Sequence, residues 1–281
     1  MTCMITGAGG LLGSALATVM GHRGIQYIAL TKADLDVTDG CATEECIKAD
    51  NPDVVFHCAA FTDVDRAEAE QKASFIVNAD GASNVARACK TVGARMVFFS
   101  TDYVFDGAKR TPYSPDDKPN PLSTYGESKL AGESLVTASG VDVLLIRTSW
   151  LYGAVGRNLV DTVIQGARKG KTLQLVDDQI GSPTWAKHMA EITLDLVSHR
   201  VSGTYHVTDS GEASWYDLGR EALSICGLQC EIKPISSEDW RAPAPRPRYS
   251  VLNSSNAEAI LGRRMTPWRK ALKRFLEEEL K

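Results

Sequence analysis

The sequence predicts an α/β protein built on a doubly wound parallel sheet, with a smaller, discontinuous second domain. Three observations carry that prediction. Through residues 1–149, short apolar runs alternate with stretches of helical period, the pattern of βαβ units joined by right-handed crossovers. A glycine-rich turn, Gly7-Ala8-Gly9-Gly10-Leu11-Leu12-Gly13, lies directly between the first run and the first helical stretch. The third run, residues 54–59, is continuously apolar around His57, as a strand covered on both faces must be.

Taken in order, residues 2–6 read as the first strand and 11–22 as the first helix. A strand at 27–30, a helix at 42–49 and the strand at 54–59 follow. Residues 73–92 keep one long helical period, and 95–100 make the fourth strand. A loop rich in Pro, Asp and Gly leads to a helix over 124–137, where Thr124 and Glu127 have capping-box spacing. Residues 141–148 are the fifth strand. The rhythm then loosens: a helix at 158–169, a strand at 173–176, an amphipathic helix at 185–198 and a strand at 204–208. A helix at 216–226, a Pro-rich loop at 242–247 and a final helix at 267–280 complete the chain. Some late segments are expected to return to the first sheet. That divides the chain into 1–149 with 184–208, and 150–183 with 209–281.

Composition excludes more than it identifies. A length of 281 residues suits one large or two small domains. The 31 Lys and Arg against 35 Asp and Glu leave a net charge of −4, and no basic run suggests a nucleic-acid partner. No apolar run approaches the ~20 residues of a membrane span, and the N-terminus carries no secretory leader pattern. Seven cysteines, an odd count without a C-x-x-C pair, point to free thiols in a reducing cytoplasm. The five histidines have no metal-ligand spacing, so zinc is not expected.

The glycine turn carries the first chemistry. Strict G-x-G-x-x-G spacing fails at Leu12, whereas G-x-x-G-x-x-G fits through Gly7, Gly10 and Gly13. Between a strand and a helix, such glycines let backbone N–H groups approach a pyrophosphate at the helix N-terminus. That makes the first domain a Rossmann-like dinucleotide site. An acid at the end of the second strand would favour NADH; Thr31 and Lys32 stand there and favour NADPH, while Asp34 keeps NADH open. Tyr125 and Lys129 are four apart, on one helix face, where an ammonium would favour phenolate. Ser100-Thr101-Asp102 follows the fourth strand, at the strand ends where α/β sheets bind ligands, and its hydroxyl can hold a carbonyl against the tyrosine. Plainer readings apply elsewhere: His57 as a satisfied core residue, Arg147 as structural, and Asp63, Asp65 and Glu68 as a helix N-terminal charge cluster.

These residues carry a resemblance. GAGGLLG, HCAAFTDVDRAE and the Thr101/Tyr125/Lys129 set resemble the extended short-chain dehydrogenase/reductases. More narrowly, STDYVFDG, YGESKLAGE, RTSWLYG, DDQIGSPT, SWYDL and RPRYSVL resemble the dTDP-4-dehydrorhamnose reductase family within them. The resemblance implies that NADPH, or NADH, reduces the C4 ketone of dTDP-4-dehydro-6-deoxy-L-hexulose to dTDP-L-rhamnose. It implies an NADP(H)-binding first domain and a nucleotide-sugar-binding second one. Tyr125 would be the general acid, Lys129 would lower its pKa and hold the nicotinamide ribose, and Thr101 would position the sugar beside Asp102 and Trp150. Gly10, Leu11 and Leu12 would line the pyrophosphate, Asp36 and Val37 the adenine, and Ala60, Phe61 and Thr62 the middle of the cofactor. The nucleotide would lie near Asn158 and the Arg246–Arg248 loop, a region that could equally be a solvated loop. Some related reductases are dimers with interfacial magnesium, but no motif assigns Mg2+ ligands here.

Other functions stay in view. A 4,6-dehydratase would follow the active threonine with Asp-Glu, whereas this chain has Thr101-Asp102-Tyr103. An NAD-dependent nucleotide-sugar epimerase remains an alternative. So does a non-catalytic subunit like the regulatory β subunit of methionine adenosyltransferase, although the intact Thr101, Tyr125 and Lys129 argue for catalysis.

Overall fold

The computed structural model describes residues 2–279. Its central sheet contains β1 (Cys3–Thr6), β2 (Tyr27–Leu30), β3 (Val54–His57), β4 (Arg95–Thr101), β5 (Val143–Thr148) and a late returning strand, Gly203–His206. All pair in parallel, in the order returning strand, β5, β4, β3, β1, β2. The order reverses between β1 and β3, so the chain winds outward in both directions and covers both faces.

Both faces are apolar because each strand contributes alternate residues to each. Ile5, Phe56, Val97 and Ile146 pack under α1 (Leu11–His22) and the helix Ala186–Ser198. Met4, Val55, Met96, Phe98 and Leu145 face the opposite layer. That layer contains α2 (Gly40–Asp50), α3 (Val64–Ala69), α4 (Gln71–Phe75), α5 (Ala82–Val92) and α6 (Thr124–Ala138). Every residue of β4 is buried, which accounts for the apolar run Met96–Phe99 at its centre. The remaining chain forms a second core around Tyr152, Ile164, Leu218, Trp268 and Phe275. Among the described residues no helix is long and apolar enough to cross a membrane.

Several elements differ from the sequence expectation. The single helix expected over 73–92 is α4, a π-helical stretch Ile76–Gly81 and α5 in succession. The cap of α6 is Ser123, which accepts from Gly126 N at 3.2 Å, so Thr124 is the first helical residue rather than a capping-box residue. Helix α2 begins two residues early because Asp39 accepts from Ala42 N at 3.0 Å. The strand Ile232–Ile235 is not expected from the sequence, because Pro234 disfavours it; the pair it forms with Leu173–Val176 has only edges, where proline is tolerated. The last helix is Trp268–Glu278, and Leu280 of the expected span lies outside the described residues.

Candidate active site

Two glycines shape the turn after β1 by steric necessity. Gly7 has φ +67°, and a Cβ there would lie 2.5 Å from Ala59 N. A Cβ on Gly13 would lie 2.4 Å from Gly7 O. Gly10 begins α1 without a side-chain cap, leaving the first-turn N–H groups facing the cavity. That cavity is lined by Gly7, Gly10, Thr31, Lys32, Asp36, Val37, Ala60, Phe61 and Thr62, as well as Gly9, Cys58 and Arg66, to which the motifs assign no role. At the end of β2, Thr31 Oγ1 donates to Asp34 Oδ2 at 2.7 Å, so the threonine hydroxyl is already engaged. Lys32 is mostly exposed, 3.8 Å from Asp36.

The π-helix explains how the loop after β3 is held. Asn78 Oδ1 accepts from Phe61 N at 2.8 Å, and its Nδ2 donates to Phe61 O at 3.0 Å. The same Nδ2 reaches Ser128 Oγ on α6 at 2.9 Å. One amide thus ties the Ala60–Thr62 loop to the helix that bears Tyr125 and Lys129. Two further contacts fix α6. Glu68 accepts from Thr124 N at 2.8 Å and from Thr124 Oγ1 at 3.0 Å. Glu133 forms a buried two-point pair with Arg147 at 2.9 and 2.7 Å, the structural role foreseen for that arginine. Backbone contact completes the fit: a Cβ on Gly126 or Gly132 would lie 2.2 Å from Tyr103 O or Asn78 O respectively.

Tyr125, Lys129, Thr101, Asp102, Trp150, Leu11 and Leu12 line one second cavity, which shares Gly10, Cys58, Ala60 and Thr62 with the first. The spacing argument for a phenolate is reversed here. Burial pushes the Tyr125 phenol up to about 12, against the opposing Thr101 hydroxyl. Lys129 lies over the Phe98 ring, 4.5 Å from its centroid, and burial lowers it to about 8 against the pull of Glu133. Thr101 Oγ1 accepts from Tyr103 N at 3.1 Å and donates to Asp102 Oδ1 at 3.0 Å. Burial pushes Asp102 up to about 7, although Ser250 Oγ donates to it at 2.5 Å. His57 is only half satisfied: Nδ1 pairs with Thr6 Oγ1 at 2.8 Å, while buried Nε2 has no partner. Burial holds it neutral, with its pKa lowered to about 3.

A third cavity continues from the second, lined by Trp150, Arg157, Asn158, Trp215 and Arg246 among others. Asn158 caps the helix Leu159–Arg168 and donates to Gly153 O at 2.9 Å, so its amide is structurally engaged. The two loop arginines separate. Arg246 reaches inward and binds Asp65 through two contacts of 3.0 Å. Arg248 faces outward, 68% exposed and 3.4 Å from Glu238, and does not line the cavity. The free cation is Arg157, which lines the second and third cavities and has no hydrogen-bond or ion-pair partner among the described residues. The acidic cluster also resolves into separate tasks. Asp63 caps α3, Asp65 holds Arg246, and Glu68 holds the start of α6. Among the described residues no group of three or more His, Cys, Asp or Glu is placed to hold a metal ion.

Residues 1–281 match the family model described as RmlD substrate binding domain. The spore coat polysaccharide biosynthesis protein SpsK of Bacillus subtilis (strain 168) is 40% identical over 275 residues, covering 98% of this chain and 96% of that protein. A dTDP-4-dehydrorhamnose reductase of Mycobacterium tuberculosis (strain CDC 1551 / Oshkosh) is 41% identical over 279 residues, covering 96% of this chain and 90% of the relative. Among solved structures, dTDP-4-dehydrorhamnose reductase from Bacillus anthracis in complex with NADP superposes with a TM-score of 0.95 at 36% identity, covering 99% of each chain.

Proposed function

This chain belongs to the RmlD substrate binding domain family, and from that membership we propose that it reduces the C4 ketone of dTDP-4-dehydro-6-deoxy-L-hexulose to dTDP-L-rhamnose with NADPH. The observation that carries the reading is the continuity of three cavities. The glycine turn lies in the first, Thr101, Tyr125 and Lys129 in the second, and an unpaired arginine at the border of the third. The cradle fits a dinucleotide, because Gly7 and Gly13 stand where any Cβ would collide with backbone, and α1 presents uncapped N–H groups.

NADPH held in this cradle would supply the hydride for C4. Tyr125, held protonated by its raised pKa, donates its phenolic proton to the C4 oxygen as general acid. Thr101 Oγ1 turns from Asp102 to the same oxygen and orients the carbonyl. Lys129, drawn toward neutrality by burial, is the nearby proton source for the phenolate left behind and holds the nicotinamide ribose. Arg157 meets the diphosphate, the role that Arg246 and Arg248 cannot fill while one is bound to Asp65 and the other faces solvent. A cytoplasmic location accords with seven free thiols.

The test is direct: purified protein, NADPH and the dTDP-4-keto sugar, with loss of nicotinamide absorbance as the readout. Tyr125→Phe should lower turnover by roughly 10²–10⁴-fold with NADPH affinity nearly unchanged. No consumption by the wild-type protein, with tight binding to a synthetase instead, would replace this reading by the regulatory-subunit one. Turnover of the sugar without net NADPH loss would point to an epimerase.

A further inference from the structure

Trp150 and Trp215 form a closed pair. Their ring centroids are 3.4 Å apart and their planes 6° from parallel, so nothing fits between them. Both indoles line both the cavity that holds Tyr125 and the cavity beyond it. The stack therefore stands at the junction of the two cavities, beside Val64, Tyr103, Leu151 and Arg157. A molecule with its reacting carbon at Tyr125 and its nucleotide in the third cavity must pass along these rings.

The two tryptophans are not equally free to move. Trp150 has φ +50°, a left-handed conformation that surrounding structure must hold in a bulky residue. Gly181 backs its indole so closely that a Cβ there would lie 2.5 Å from the ring. Trp215 is the first residue of the helix Trp215–Ile225, and its one polar tether is Nε1 donating to Gln179 Oε1 at 3.1 Å. Nearly eclipsed face-to-face stacking is also a poor arrangement for two rings with the same quadrupole. Trp150 is anchored, and Trp215 is the ring that leaves.

We propose that Trp215, stacked on Trp150, narrows the substrate passage, and that a nucleotide sugar displaces it from the face of Trp150. This rests on the nucleotide-sugar reading above and adds a specificity consequence. Ligands that span both cavities must break the stack, whereas a nucleoside diphosphate confined to the third cavity leaves it intact. The paired indoles then report which ligands reach Tyr125.

The experiment titrates the intact protein with dTDP and with dTDP-L-rhamnose, reading near-ultraviolet circular dichroism and calorimetric affinity. The expected result is loss of the coupled indole signal with dTDP-L-rhamnose and its persistence with dTDP. In Trp215→Ala, affinity for dTDP-L-rhamnose should rise by roughly 2- to 10-fold, the gain from having no ring pair to separate. Affinity for NADPH should be unchanged, since Trp215 does not line the glycine-turn cavity. Trp215→Phe, which keeps the helix start filled, should fall between. Binding of dTDP-L-rhamnose with an undisturbed indole signal, or weaker binding in both variants, overturns the displacement while leaving the reductase reading standing. Failure of the wild-type protein to bind either nucleotide overturns the reading itself.

Discussion

Replacing Gly132 with alanine tests whether α6 is set in place by backbone contact. The added methyl would lie 2.2 Å from the carbonyl oxygen of Asn78 and 3.2 Å from the edge of the Phe98 ring. The first neighbour is main chain in the π-helix and cannot swing aside, so α6 must retreat by roughly 1 Å to restore an ordinary contact. Tyr125 and Lys129 travel with it, while Thr101 stays on β4. A 1 Å misplacement of reacting groups can cost about 10²-fold in rate, and overpacking costs about 1–3 kcal/mol of stability. Gly132→Ala should therefore fold, melt a few degrees lower and lose roughly 100-fold in kcat. Turnover at saturating NADPH and sugar nucleotide, beside a thermal melt, measures both effects. Gly21→Ala in α1 is the control: its Cβ has no neighbour nearer than 4.0 Å, so it should be neutral or slightly stabilising. Full kcat in a folded Gly132→Ala protein would refute the claim that this contact sets the catalytic distance.

Other outcomes follow from separate contacts. Arg157→Ala should raise the KM for the nucleotide sugar by roughly 10-fold or more, as expected for a charge-assisted contact; Arg248→Ala should leave it unchanged, since that side chain already faces solvent. Asn78→Ala removes the bonds to Phe61 and Ser128 and should raise the KM for NADPH several-fold, while Asn78→Gln should not restore it because the reach differs. His206 is held neutral, its pKa lowered to about 3 by burial, with Arg147 adding to the effect. The unfolded chain takes up this proton near 6.5, so the contribution of neutral His206 is intact above that pH and drains away on acidification at about 1.4 kcal/mol per unit. The stability gap between wild type and His206→Gln in urea unfolding should thus narrow steadily from pH 6.5 to 4.5; parallel curves would contradict it.

What was legible in the sequence depended on whether the cause was local. The strands could be read because burial on both faces leaves apolar runs such as Met96–Phe99 in β4. Tyr125 and Lys129 could be placed on one face because helix period alone decides it. Their protonation could not, because burial rather than spacing dominates both groups. The π-helix buries Asn78, but in sequence that residue looks no different from exposed Asp80 beside it, and periodicity alone cannot locate the change of helix type. The arginines were the hardest to tell apart. Arg157, Arg246 and Arg248 look alike in one dimension, and what distinguishes Arg246 is a carboxylate 181 residues away. Trp215 lies in the SWYDL motif, yet its partner Trp150 could be identified only in three dimensions.

The returning strand has a consequence for how the chain is made. Gly203–His206 covers the edge of β5, but more than fifty residues separate the two strands along the chain. During synthesis, β5 therefore emerges long before its neighbour and presents an apolar, unpaired edge, the kind of surface that recruits other chains. A fragment cut anywhere between the two strands keeps that edge permanently open, however complete its glycine turn and its Tyr125/Lys129 helix. Any shortened form that keeps the glycine turn and that helix must therefore also keep Gly203–His206 beside β5.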